Sequence, residues 1–192
     1  MDQNELNEAR TNPEFLSFLD EREKEAFEKE NISILYEVLD SLLILDLQEA
    51  RINKIYEKIL TISFDQIEGR LKENKQLSLH SDDIYYIRSF YEHSIEKWSR
   101  GNIQGAKELL FVLSNIIDDE RLKDSIEVHI IACAKNLTLD EFYDTKVRLN
   151  SEVDDEDHGY FIMRYKFDTK QFLEQNSSLL ISEYKTLQHL LD

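Results

Sequence analysis

Five histidines, His80, His93, His129, His158 and His189, are the first residues to test for chemistry. None belongs to an HExxH pattern. None follows a glutamate by three residues, as the Glu-x-x-His motif of metal-binding helix bundles requires. Glu92-His93 and Glu127-x-His129 put their side chains on different helical faces. These histidines are therefore expected as scattered surface or core residues, and no metal site is assigned. The single cysteine, Cys133, lies in the apolar run Val128-His129-Ile130-Ile131-Ala132-Cys133. A reactive thiol needs a lowered pKa, and only His129, one helical turn earlier, offers a cationic neighbour. Cys133 reads as a small buried hydrophobe.

The glycine-dependent arrangements are missing. There is no GxGxxG, no GxxxxGK[ST] and no GxSxG, and the whole chain holds four glycines. Phosphate-cradling loops need close backbone approach, so no cofactor is expected. Residues 151–159 form an acidic run, Ser-Glu-Val-Asp-Asp-Glu-Asp-His-Gly. Read as a calcium loop from Asp154, it places Glu156 third, His158 fifth and Gly159 sixth. The twelfth position is then Tyr165, where a bidentate glutamate is required. The run is not an EF-hand. It reads as a solvated loop, with Asp154, Asp155, Glu156 and Asp157 exposed and available to dock a basic protein.

Two aromatic groups could anchor such an interface. Tyr160 opens the stretch Tyr160–Phe167, directly after the acidic run. Tyr85, Tyr86, Phe90, Tyr91 and Trp98 lie together further upstream. Tyr91 and Trp98 are seven residues apart, near one helical face, and a core stripe is the usual explanation for that spacing. The aromatics nevertheless populate more than one face. Tyr91 and Trp98 are therefore kept as candidate interface anchors, with Arg88 and Lys97 as polar contacts at the edge.

The elements that must position these residues are helical. One proline and four glycines in 192 residues favour long helices over a turn-rich β protein. Ten phenylalanines, nine tyrosines and many Leu and Ile supply a core despite a net charge of −17. Residues 1–11 read as a polar N-terminal tail, and 12–192 as a single helical domain. Asn12-Pro13 starts a first helix, as a cap followed by a proline whose missing N–H costs nothing there. Helices follow from about Ile32, from Gln48 to Asn74 and from Ser81-Asp82-Asp83 to Arg100. The junction near Asp46 admits either two helices or one kinked helix. Gly101 fits the left-handed position that ends a helix, and Asn102 caps the next. A further helix runs from Glu120 to Lys135, and Thr138-Leu139-Asp140-Glu141 is a capping box. Tyr160–Phe167 is expected to pair with Lys146–Leu149 as a small β-hairpin, about 146–167, with a helix as the alternative. Asp168 or Thr169 caps a last helix to about Leu191. Leu39, Leu42, Ile59, Leu110 and Ile130 are expected in the core.

The segment Phe90–Asp118, with Gly101-Asn102, Ala106 and Leu110, looks like one tetratricopeptide helix hairpin. Lys97 stands where an aromatic is usual, and Asp118 where proline often ends the unit. A generic helical hairpin explains the segment equally well, and no family is claimed.

The fold class expected is therefore mainly α, bundle-like. The N-terminus is acidic and polar, unlike a signal peptide. The longest apolar run, Leu42–Leu45, is far short of the ~20 residues of a membrane span. A cytoplasmic location is the default. The acidic balance argues against direct nucleic-acid binding and against anionic membrane surfaces. The leading functional expectation is a non-enzymatic protein-interaction module: an adaptor, regulator or chaperone-like protein with a protein partner, for which a basic surface is the electrostatically easier choice. An inhibitor of a basic protein, such as an immunity protein or DNA mimic, stands second. A metal-dependent enzyme with a site assembled from separate helices stands third.

Overall fold

The structure is a computed structural model, and it describes residues 3–148 and 158–191. The described residues are mainly helical, with no β-strand among them. The chain divides into two compact units, residues 1–67 and 68–192. Read from sequence, residues 12–192 carry no such boundary.

The first unit holds α1 (Gln3–Thr11), α2 (Pro13–Lys29), α3 (Ile32–Ile44) and most of α4 (Glu49–Glu73). The expected polar tail is thus a helix from Gln3. It is tied down where Arg10 Nε donates to the Leu45 carbonyl at 2.7 Å. Asn12 caps α2 by accepting from the Glu14 and Phe15 amides, and Pro13 takes the first helical position as expected. The charged second half of α2 remains helical because it is not wholly solvated: Ala26 is buried there, and Leu19 just before it. In the first turn of α4, Arg51 pairs with Glu23 and, at 2.8 Å, with Asp20. These two carboxylates offset the cost of a cation near the positive end of a helix dipole. Asp46 and Gln48 adopt positive φ, which separates α3 from α4 and settles the Asp46 junction as two helices. Leu39 and Leu42 of α3 and Ile59 of α4 are buried, as their spacing predicts.

The second unit is built on α5 (Asp83–Ser99), α6 (Ile103–Ile116) and α7 (Glu120–Ala134), which pack in sequence order. Ser81 Oγ, rather than Asp82, accepts the Asp83 amide at the start of α5. The Asp83 carboxylate instead reaches Arg70 at 3.0 Å. Gly101 ends the turn at φ 79°, where a Cβ would be strained, and Asn102 accepts the Gly105 amide at 3.0 Å. Leu110 and Ile130 are buried here, as expected.

Helix α8 (Leu139–Lys146) opens with the full capping box. Thr138 accepts the Glu141 amide, and the Glu141 carboxylate accepts the Thr138 amide. Thr138→Ala removes the cap and is expected to cost about 1 kcal/mol, read as a shifted urea midpoint with unchanged slope. The expected hairpin about 146–167 reduces, among the described residues, to one antiparallel bridge between Val147 and Tyr165. Lys166 N donates to the Lys146 carbonyl and Arg148 N to the Arg164 carbonyl. The amide of Ile162 donates to a tyrosine hydroxyl. The last helix is also split. Asp168 caps α9 (Thr169–Gln175) as expected, Asn176 breaks the run, and α10 (Ser177–Leu187) follows with a 3-10 turn at Gln188–Leu190.

Candidate interaction site around Tyr160

The residues after the acidic run are held by a buried polar cluster on α5 and α7. Tyr91 and His129 face each other there, with ring centroids 5.6 Å apart in an edge-on arrangement. The Tyr91 hydroxyl accepts the Ile162 amide at 2.9 Å. Its own proton is then free for His129 Nε2, 3.1 Å away. That makes Nε2 the acceptor and Nδ1 the protonated nitrogen, donating to the Ser125 carbonyl at 2.6 Å. Tyr165 closes the cluster, its hydroxyl lying 3.2 Å from the Ser125 carbonyl and 2.9 Å from that of Ile162. Every ring nitrogen and hydroxyl in the cluster has a partner, as burial demands.

This geometry fixes the protonation states. Burial pushes the His129 imidazole down to about 4, so it is neutral near pH 7. A second proton on Nε2 would meet the proton of the Tyr91 hydroxyl. Burial pushes the Tyr91 and Tyr165 phenols up. Sealed from solvent with both nitrogens engaged, His129 has no approach for a substrate and works as a positioning group. Cys133 is also buried, and its thiol is pushed up to about 12 by that burial. His129 is engaged with Tyr91 and Ser125 rather than with the thiol.

The clamp sets the segment's outward residue. Phe161 turns inward against Tyr91, ring centroids 5.1 Å apart. Tyr160 is left 43% exposed. Beneath it lies the Arg88 guanidinium, 4.2 Å from the ring centre. Arg88 is itself buried and donates from Nε to Glu92 at 2.7 Å. A cation under a tyrosine face contributes about 0.5–1 kcal/mol, and here it fixes the ring's orientation. His158 Nε2 lies 3.3 Å from Asp119, which also caps α7. The start of the segment is thereby tied to the N-terminus of α7.

The nominated residues are therefore not one surface. Tyr160 is exposed. Tyr91 and Trp98 are buried, at 2% and 1%, and belong to the frame beneath it. The core explanation for their spacing holds, because the helical stripe that carries them faces α7. Arg88 is stacked under Tyr160 and is not an edge contact. Asp154, Asp155, Glu156 and Asp157 lie outside the described residues. Among the described residues no group of three or more His, Cys, Asp or Glu could hold a metal ion, and no helix is long and apolar enough to cross a membrane. The central position of His129 was not legible beyond its place on an apolar stripe. Its partners Tyr91 and Tyr165 come from segments far apart in sequence.

Tyr91→Phe tests the clamp. It strips a partner from the Ile162 amide and from His129 Nε2 at once. The expected loss is about 2 kcal/mol, with faster hydrogen exchange at Ile162 and little change at the start of α6.

No protein-family model, curated protein or solved structure matches this chain.

Proposed function

We propose that this chain is a cytoplasmic, non-enzymatic helical module that acts by binding another protein, and that its partner is basic. The observation that carries the reading is Tyr160. A large aromatic is 43% exposed, oriented by the Arg88 beneath it, on a segment whose neighbouring residues are bonded into the core. Aromatic side chains held rigidly lose little entropy on binding and make effective interface anchors. Three positions before it in sequence ends the run Asp154, Asp155, Glu156, Asp157. The net charge of −17 favours encounter with a cationic protein and opposes nucleic acid.

The test is retention of proteins from native-cell extract on immobilised wild type, Tyr160→Ala, and a variant with Asp154, Asp155 and Asp157 changed to Asn and Glu156 to Gln. A basic protein held by the wild type should be weakened roughly tenfold by either variant. It should also be released as salt rises from about 0.1 to 0.5 M. Equal retention by all three proteins, unaffected by salt, contradicts the reading.

A further inference from the structure

Among the described residues, the C-terminal helix α10 packs against α6, α7 and α9. Tyr184 seats it. Its ring packs edge-on against Phe111 of α6, centroids 5.0 Å apart. Its hydroxyl lies 2.8 Å from Ser114 Oγ and donates to Glu127 of α7 at 3.0 Å. Lys107 of α6 pairs with Glu183 at 2.6 Å. Leu187 is the one fully buried side chain of the helix. Outside these anchors, Leu180 is half-buried and Ile181 is 56% exposed.

Together with Glu127, Tyr184, Lys185 and Gln188, these two residues line an open groove of about 480 Å³. Its floor is apolar. Glu127 supplies a carboxylate at its wall. Partial burial and the neighbouring Asp124 and Glu120 push that carboxyl up, and the neutral Tyr184 hydroxyl donates to it. No described cation forms an ion pair with it. Lys123 acts on both Glu127 and Asp124, and Lys170 acts on Asp124. Lys185, at the groove, is exposed to solvent.

We infer that this groove binds an amphipathic helical segment of a protein partner, with apolar residues over Leu180 and Ile181 and a Lys or Arg directed at Glu127. A groove beside a helix accepts another helix as ridge into groove. The half-buried carboxylate selects a cation at one position of that segment, and the acidic chain around it favours the same sign. The inference rests on the reading that the protein works through protein contacts, but it concerns a surface separate from Tyr160.

The experiment uses the full chain and two labelled peptides of about 15 residues. Both carry leucines along one helical stripe; one has a lysine and the other a glutamate beside it. Fluorescence anisotropy is read at about 0.15 M salt against wild type, Ile181→Glu, Glu127→Gln and Tyr160→Ala. Circular dichroism confirms that each variant is folded; Ile181 and Tyr160 are exposed, and the amide oxygen introduced by Glu127→Gln still accepts from Tyr184. The lysine peptide should bind wild type and Tyr160→Ala alike and lose roughly tenfold or more on Ile181→Glu. Glu127→Gln should erase most of the preference for lysine over glutamate. Equal binding of the two peptides to wild type overturns the inference, as does binding untouched by Ile181→Glu. Absence of binding overturns it too. Loss confined to Tyr160→Ala would also overturn it, while leaving the Tyr160 reading standing.

Discussion

Trp98→Ala is expected to destabilise the protein by about 3–5 kcal/mol, a large share of the total stability of a domain. Trp98 is 1% exposed at the end of α5. Its ring meets Phe142 of α8 with centroids 4.9 Å apart and His129 of α7 at 6.1 Å. Its Nε1 donates to the Leu137 carbonyl at 2.8 Å, fixing the turn between α7 and α8. Alanine opens a cavity where three helices meet and strands that carbonyl. Trp98→Phe keeps most of the packing and loses the hydrogen bond, so its cost should be smaller. Urea unfolding of both variants checks the order. A loss below about 1 kcal/mol for the alanine variant would mean that the cluster relaxes around the gap.

The second large effect is a loss of stability on acidification that is traceable to His129. The ordinary imidazole value is 6.5, and burial lowers it to about 4 in the fold. Between these values the unfolded chain binds a proton that the folded chain refuses. Stability therefore rises with pH across this window, and acidification from pH 6.5 to 4 removes it. The full difference corresponds to about 3 kcal/mol. Lys29, Lys72, Lys75 and the Thr138 amide hold Glu25, Glu68, Glu73 and Glu141 below the usual carboxylate range. Their stabilisation is lost only at lower pH, as they protonate. Asp124 and Glu127, raised by burial, act in the opposite sense: they favour the fold when protonated and weaken it as pH rises through their folded values. Urea unfolding from about pH 7 to about pH 4.5 separates these contributions. His129→Gln should be less stable than wild type near pH 7, and the gap should narrow steadily on acidification. Parallel curves would mean that His129 titrates alike in both states.

The helices were legible where local signals act alone. Asn12-Pro13, Gly101-Asn102, Thr138-Glu141 and Asp168 each fix a boundary through a bond to a backbone group a few residues away. The apolar period likewise placed Leu39, Leu42, Ile59, Leu110 and Ile130 inside. Features that depend on distant partners were not legible. The segment 160–167 has strand-like composition, but among the described residues it forms one bridge, and its Ile162 amide goes to Tyr91, 71 residues earlier. Helix α1 is polar, and its seat depends on the Arg10 contact with Leu45. Tyr160 stands out in the sequence for its place beside the acidic run. Its exposure follows from Phe161 turning inward, which alternation allows and only the Tyr91 contact decides. The α10 groove had no sequence signal, because Glu127 and Ile181 meet only in the folded unit.

Site-specific photo-crosslinking tests the proposed function most directly. A benzophenone amino acid placed at position 160 keeps an aromatic ring there, and one placed at the exposed Glu57 serves as control. Irradiation in the native cell should give a covalent adduct with a distinct basic protein from position 160 and not from position 57. Changing Asp154, Asp155, Glu156 and Asp157 to their amides should diminish that adduct. No adduct from position 160, or the same adducts from both positions, would contradict the account.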